Sequence, residues 1–175
     1  MSVTQNTITL MLLVPLAAVI IYYDVRYRRI PNVVVLLTLL AGLSLNTVFG
    51  SFHGALSGVG GLVFAFVPMF LLHTFGAMGA GDVKLFGAVG AVLGAKLVLP
   101  TLIIVVLLGG ILALISMLRS GTVFSTLHGV LRIFVGLLPG WDMPRFAMPP
   151  DRRKTIPYGV AITIGSLISV LIFRA

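Results

Sequence analysis

No cysteine occurs anywhere in this chain, and no glutamate. The first absence excludes disulfides, zinc ribbons and thiol nucleophiles. The second leaves Asp24, Asp82, Asp142 and Asp151 as the only carboxylate side chains. Charge is scarce, at 9% of 175 residues, whereas 59% are hydrophobic and the mean hydropathy is +1.17. A single soluble domain could not bury that much apolar surface, so the chain belongs in a lipid bilayer. The formal charge of +8 comes from 12 Lys and Arg residues. These fall in the connections between apolar runs, with no aromatic-basic binding pattern, so they argue for membrane topology and against a nucleic-acid partner.

Apolar runs of roughly 17–25 residues are needed to span about 30 Å of hydrocarbon as helix. About six stretches approach that length, near Ile8–Tyr23, Val33–Phe49, Ala55–Phe75, Val83–Leu99, Leu102–Leu118 and Ile156–Phe173. The expected fold is therefore all-α, a polytopic membrane helix bundle of about six transmembrane helices forming one domain over residues 1–175. Met1 to Asn6 carries no positive charge and no small-residue cleavage site follows the first run, so that run reads as a retained helix, not a removed signal peptide. Glycines crowd the third and fourth segments, where small residues let membrane helices approach closely. Six crossings place ten basic residues on one face: Arg26, Arg28, Arg29, Lys84, Arg119, Arg132, Arg145, Arg152, Arg153 and Lys154. Lys96 and Arg174 fall on the other. By the positive-inside rule the richer face is cytoplasmic, which makes residues 119–155 a cytoplasmic loop. Within it, Val123–Leu138 suits a helix lying in the interface, a partial re-entrant segment being the other reading. The prolines and charges after Pro139 suit irregular chain.

Both Asp24 and Asp82 then lie at the cytoplasmic ends of apolar helices. A carboxylate at membrane depth costs about 2.5–3.5 kcal/mol on insertion scales, and by default marks function. Two carboxylates held close in a low-dielectric site cannot both ionise. They share a proton, so that one can act as base towards a water while the other polarises a carbonyl. That is the acid–base requirement for peptide hydrolysis without a metal or a nucleophilic side chain. Gly79 and Gly81 flank Asp82 with backbone free of Cβ atoms, which would let an extended strand come close. Pro31 ends any helix running through Arg29 and Ile30.

Gly79-Ala80-Gly81-Asp82, followed by Val83-Lys84-Leu85, resembles the Gly-x-Gly-Asp motif of the type IV prepilin peptidases, membrane aspartic proteases. Asp24, with Arg29-Ile30-Pro31-Asn32 after it, resembles their first aspartate motif, and Pro157-Tyr158-Gly159 is similar to a third block. The three occur in the family's order and cover most of the chain. The resemblance implies that Asp24 and Asp82 are catalytic, with no cofactor and no metal. It implies a prepilin or pseudopilin substrate, whose short basic leader is cut, commonly after a glycine, at the cytoplasmic face of the bacterial inner membrane. With no Cys-x-x-Cys element, the chain resembles the short, peptidase-only members of tight-adherence (Flp) pilus systems, and N-methylation is not expected.

Plainer readings stand beside these. Asp24 at a helix end paired with Arg26 or Arg28 would be an interfacial ion pair worth about 0–1 kcal/mol. Lys84 reads as snorkelling to headgroups or supporting the site. Arg26, Arg28 and Arg29 read mostly as topology signal and anionic-lipid contact. Asn32 and Tyr158 are candidates to orient the loops around the aspartates. His53 and His73 have no second ligand spaced to hold a metal, and Asp142 and Asp151 read as solvated. Two other functions compete: a small transporter or proton relay using Asp24 and Asp82, and a non-catalytic pilus or secretion assembly subunit. The charge count makes a direct prediction: reporter fusions after Arg29, near Gly79 and within 149–154 report cytoplasm, and fusions near Ser51 report the outside. An external signal from 149–154 would break the six-crossing arrangement.

Overall fold

The computed structural model describes residues 3–74, 76, 78–121 and 158–173. Among them the chain is helical and contains no strand: α1 (Val3–Tyr27), α2 (Asn32–Thr74), α3 (Ala80–Leu93), α4 (Ala95–Ser120) and α5 (Tyr158–Phe173). The interfacial segment expected between 123 and 138, and Asp142, Asp151 and Pro157, lie outside the described residues.

Three helices, α1, α2 and α4, are long and apolar enough to cross a membrane by length and composition. The 43 residues of α2 are two crossings in one continuous run. Residues a dozen positions apart in a straight helix lie about 18 Å from each other. Gly58 instead lies against Asn46, with a Cβ built on Gly58 falling 3.5 Å from the Asn46 Cβ. The chain reverses at Ser51, whose φ of 50° and ψ of −136° leave the helical region. The second and third predicted segments are thus the two arms of α2, and the reversal falls where the glycine-flanked break at residues 50–54 was expected.

α3 lies between these arms. Every residue from Leu85 to Leu93 is buried, so the helix is enclosed on all sides, as its uniformly apolar sequence requires. The contact is backbone to backbone: a Cβ at Gly61 would collide with the Gly90 carbonyl, one at Gly90 with the Gly61 carbonyl, and one at Gly42 would lie 2.7 Å from the Val92 nitrogen. In a membrane, where no hydrophobic force drives helices together, such close van der Waals approach holds them. Asn46, 2% exposed, adds a polar clamp. Its amide donates to the carbonyls of Gly42 at 3.1 Å, Ala91 at 2.8 Å and Val92 at 3.2 Å.

The break between the fourth and fifth segments is not at Pro100, where the sequence suggested it. Gly94 makes it, with φ 76°, and its N–H caps α3 on the Gly90 carbonyl. Pro100 instead lies inside α4. Glycine takes that left-handed backbone without a steric cost, so Gly94 is the better stop signal. The 14 residues of α3 rise only about 21 Å, short of the roughly 30 Å of hydrocarbon.

α5 packs between α1 and α4 and also touches α3. It runs antiparallel to α4: Tyr158 faces Gly109, Gly165 faces Val105, and the Thr101 hydroxyl donates to Ser169 at 2.6 Å. Facing outward is a girdle of exposed Leu, Ile, Val and Phe, including Leu36, Leu40, Phe52, Ile103, Leu107, Ile111 and Leu118. In water such a surface would aggregate, but against lipid it is matched. The chain is a multi-pass membrane protein. Replacing the clamp by Asn46→Leu strands carbonyls of α3 and is expected to cost about 1–3 kcal/mol. Thr47→Val, at an exposed neighbour bonded only to its own helix, is expected to stay within about 0.5 kcal/mol of wild type, both read by thermal unfolding in detergent.

Candidate active site

Most buried polar side chains of this bundle satisfy themselves locally. The hydroxyls of Thr9, Thr38, Thr101, Thr163 and Ser166 each donate to the carbonyl four residues back. Asp24, in the last turn of α1, does not. It is 6% exposed, and its Oδ2 is buried with no hydrogen-bond partner among the described residues. A carboxylate is costly to bury and costlier to leave unpaired.

What faces Asp24 is the start of α5. The backbone N–H groups of Gly159 and Val160 address the carboxylate, and the Arg28 guanidinium attracts it. The positive end of a helix dipole favours an anion placed there. A Cβ at Gly159 would fall 2.8 Å from Asp24 Oδ2 and 3.1 Å from Ile20 Cγ2. Only a residue without a side chain lets α5 come this close to α1.

Asp82 stands in the first turn of α3, half-buried. Its backbone N–H bonds the Gly79 carbonyl at 3.1 Å, and its side chain folds back over Gly79, whose N–H addresses the carboxylate. A Cβ at Gly79 would lie 2.9 Å from Asp82 Oδ2. The negative charge of Asp24 acts on Asp82, and that of Asp82 acts on the half-buried Tyr158 phenol. The end of α1, the start of α3 and the start of α5 therefore meet, and each brings one of the three sequence blocks.

The other residues singled out from the sequence divide. Gly81 is half-buried against Ile30, with a Cβ falling 3.7 Å from the Ile30 Cβ, so the Gly-x-Gly-Asp segment touches the loop after α1. Pro31 precedes α2, and its carbonyl accepts from Val34 at 3.1 Å and Val35 at 3.3 Å. Tyr23, Tyr27, Arg29, Ile30 and Pro31 line an open depression of about 310 Å³ beside this loop. Asn32 and Lys84 are exposed, which fits the snorkelling reading of the lysine and gives Asn32 no buried anchor. His73 Nδ1 lies 2.8 Å from the Met78 carbonyl across the turn into α3. Among the described residues no group of three His, Cys, Asp or Glu is placed to hold a metal.

Sequence reasoning left Arg26 and Arg28 as alternative partners of Asp24, and the structure brings Arg28 to it. Its spacing of four from Asp24, which puts the two on one helix face, was the available signal. The Val160 amide had no side-chain signature at all.

The sequence profile described as the type IV leader peptidase family matches residues 11–114, which include both aspartates. The chain belongs to that family. It is also 28% identical, over 160 residues, to a prepilin leader peptidase/N-methyltransferase of Bacillus subtilis (strain 168), a match covering 90% of this chain and 53% of that protein. The chain thus spans about half the length of this relative. No solved structure matches it. The family match stops short of α5, so Gly159 rests on its geometry and on the resemblance of the Pro157-Tyr158-Gly159 block.

Gly159→Ala is expected to push α5 off Asp24 and lower stability by about 1–3 kcal/mol, as overpacking does. Gly81→Ala meets only ordinary contacts and is expected to stay within about 0.5 kcal/mol. Thermal unfolding of the two variants in the same detergent distinguishes them.

Proposed function

We propose that this protein is a membrane aspartic endopeptidase that removes the short basic leader from type IV prepilins of the Flp type, using Asp24 and Asp82 as its acid–base pair. The observation that carries the reading is the juxtaposition of two carboxylates from distant motifs at one end of the bundle, one with a buried oxygen that has no hydrogen-bond partner among the described residues, in a chain of the leader peptidase family. Supporting it, each carboxylate is seated against a glycine whose missing Cβ makes room for it.

In this mechanism the ionised carboxylate takes a proton from a water as the water oxygen bonds to the scissile carbonyl carbon. The protonated carboxyl gives its proton to the carbonyl oxygen. The tetrahedral intermediate collapses as its C–N bond breaks and the leaving nitrogen takes up a proton, and the pair returns to its singly protonated state. The substrate's hydrophobic helix docks against the exposed apolar flank of the bundle, and its leader extends along the Gly79–Gly81 backbone to the dyad. The site faces the cytoplasm of a bacterial inner membrane in this reading, which the excess of basic residues on that face supports.

The test is cleavage of a synthetic precursor carrying a basic leader, a glycine and a hydrophobic helix by purified protein in detergent or liposomes. Asp24→Asn and Asp82→Asn are each expected to lower turnover by more than about 10³-fold, the scale of losing one member of a unit that acts together, while the protein remains folded. Turnover of the wild type falls on the acid side, where both carboxyls are protonated, and on the alkaline side, where both are ionised. Its two apparent pKa values belong to the pair. Chelators are expected to leave the rate unchanged. Near-wild-type cleavage by either Asn variant, or loss on chelation reversed by a divalent metal, contradicts the assignment.

A further inference from the structure

Of the three arginines that follow Asp24, Arg26 and Arg29 are exposed and Arg28 is half-buried. Arg28 also closes α1 in a conformation its sequence does not favour. Its N–H bonds the Asp24 carbonyl at 3.1 Å, and its φ is 52°, the left-handed cap that glycine normally supplies. Its Nη1 is buried without a hydrogen-bond partner among the described residues, as is Oδ2 of Asp24. The two side chains are close enough for their charges to interact. A buried guanidinium nitrogen and a buried carboxylate oxygen, near each other and each without a hydrogen-bond partner among the described residues, are groups a protein most needs to satisfy. A water donating to Oδ2 and a peptide carbonyl accepting from Nη1 would satisfy both at once.

We propose that Arg28 is a catalytic residue of this site, its Nη1–H binding the carbonyl oxygen of the peptide bond being cut. The proposal rests on the peptidase reading and deepens it. As the water oxygen bonds to the carbonyl carbon, the π electron pair moves onto the carbonyl oxygen. The guanidinium stabilises that charge alongside the proton given by the dyad, and breaking the C–N bond returns the pair to the carbonyl. Preorganised donors of this kind act where charge develops, so they favour the transition state over the bound substrate. Arg28 thus has a role that the topology of positive charge does not account for.

The experiment is steady-state cleavage of the same synthetic precursor by the full chain and by Arg28→Gly, Arg28→Gln and Arg28→Lys, with Arg26→Gln as a control for lost positive charge. Arg28→Gly suits the left-handed backbone, and thermal unfolding confirms that each variant is folded. The expected result is a fall in kcat of about 100-fold for Arg28→Gly and Arg28→Gln, with KM within about threefold and Arg26→Gln unaffected. Arg28→Lys recovers part of the rate, and added guanidinium ion restores turnover to Arg28→Gly. An unchanged kcat, or a rise in KM alone, overturns the proposal while leaving the peptidase reading intact. A wild-type chain that leaves the precursor whole overturns both.

Discussion

The position of Asp82 depends on one packing constraint, the burial of α3 at backbone distance between the arms of α2. Where Gly61 meets Gly90 and Gly42 meets Val92, no side chain fits between the helices, so α3 has one depth and one register. Lipid offers no hydrophobic reward for bringing helices together, and contact this close is what replaces it. The Asn46 amide adds direction, because it bonds the carbonyls of Ala91 and Val92 at the end where Gly94 stops the helix. With its far end held, the near end of α3 presents the first turn, and Asp82 with it, to α1 and α5.

The second carboxylate is positioned by a different device. Asp24 sits where α1 ends, and α5 reaches it end-on through the amides of Gly159 and Val160. Gly159 is to this contact what Gly61 and Gly90 are to α3: the missing Cβ sets the separation. A carboxylate set against a helix N-terminus is stabilised as an anion, yet Oδ2 of Asp24 has no hydrogen-bond partner among the described residues.

Much of this was legible in the sequence because apolar length and charge asymmetry are summed over many residues. The helical segments and the reversal near residue 51 follow from such sums. Helix ends were less legible. Pro100 suggested a break that Gly94 makes instead, because a left-handed glycine stops a helix outright whereas a proline can be carried within one. Arg28 was hidden among its neighbours: in sequence, three arginines near one loop read alike, and only burial separates the one beside Asp24 from the two that are exposed. The Gly159 and Val160 amides were invisible for another reason, since a backbone donor has no letter in the sequence and is found only once the helices are placed.

The central claim is that Asp24 and Asp82 share one site, and the natural absence of cysteine makes it directly measurable. An Asp24→Cys/Asp82→Cys variant of the full chain, reconstituted in liposomes and carrying a nitroxide on each thiol, reports their separation by continuous-wave electron paramagnetic resonance. Convergence of the two helix ends predicts strong dipolar broadening relative to the two singly labelled variants. A doubly labelled spectrum that superimposes on the sum of the single ones would place the carboxylates apart and contradict the account.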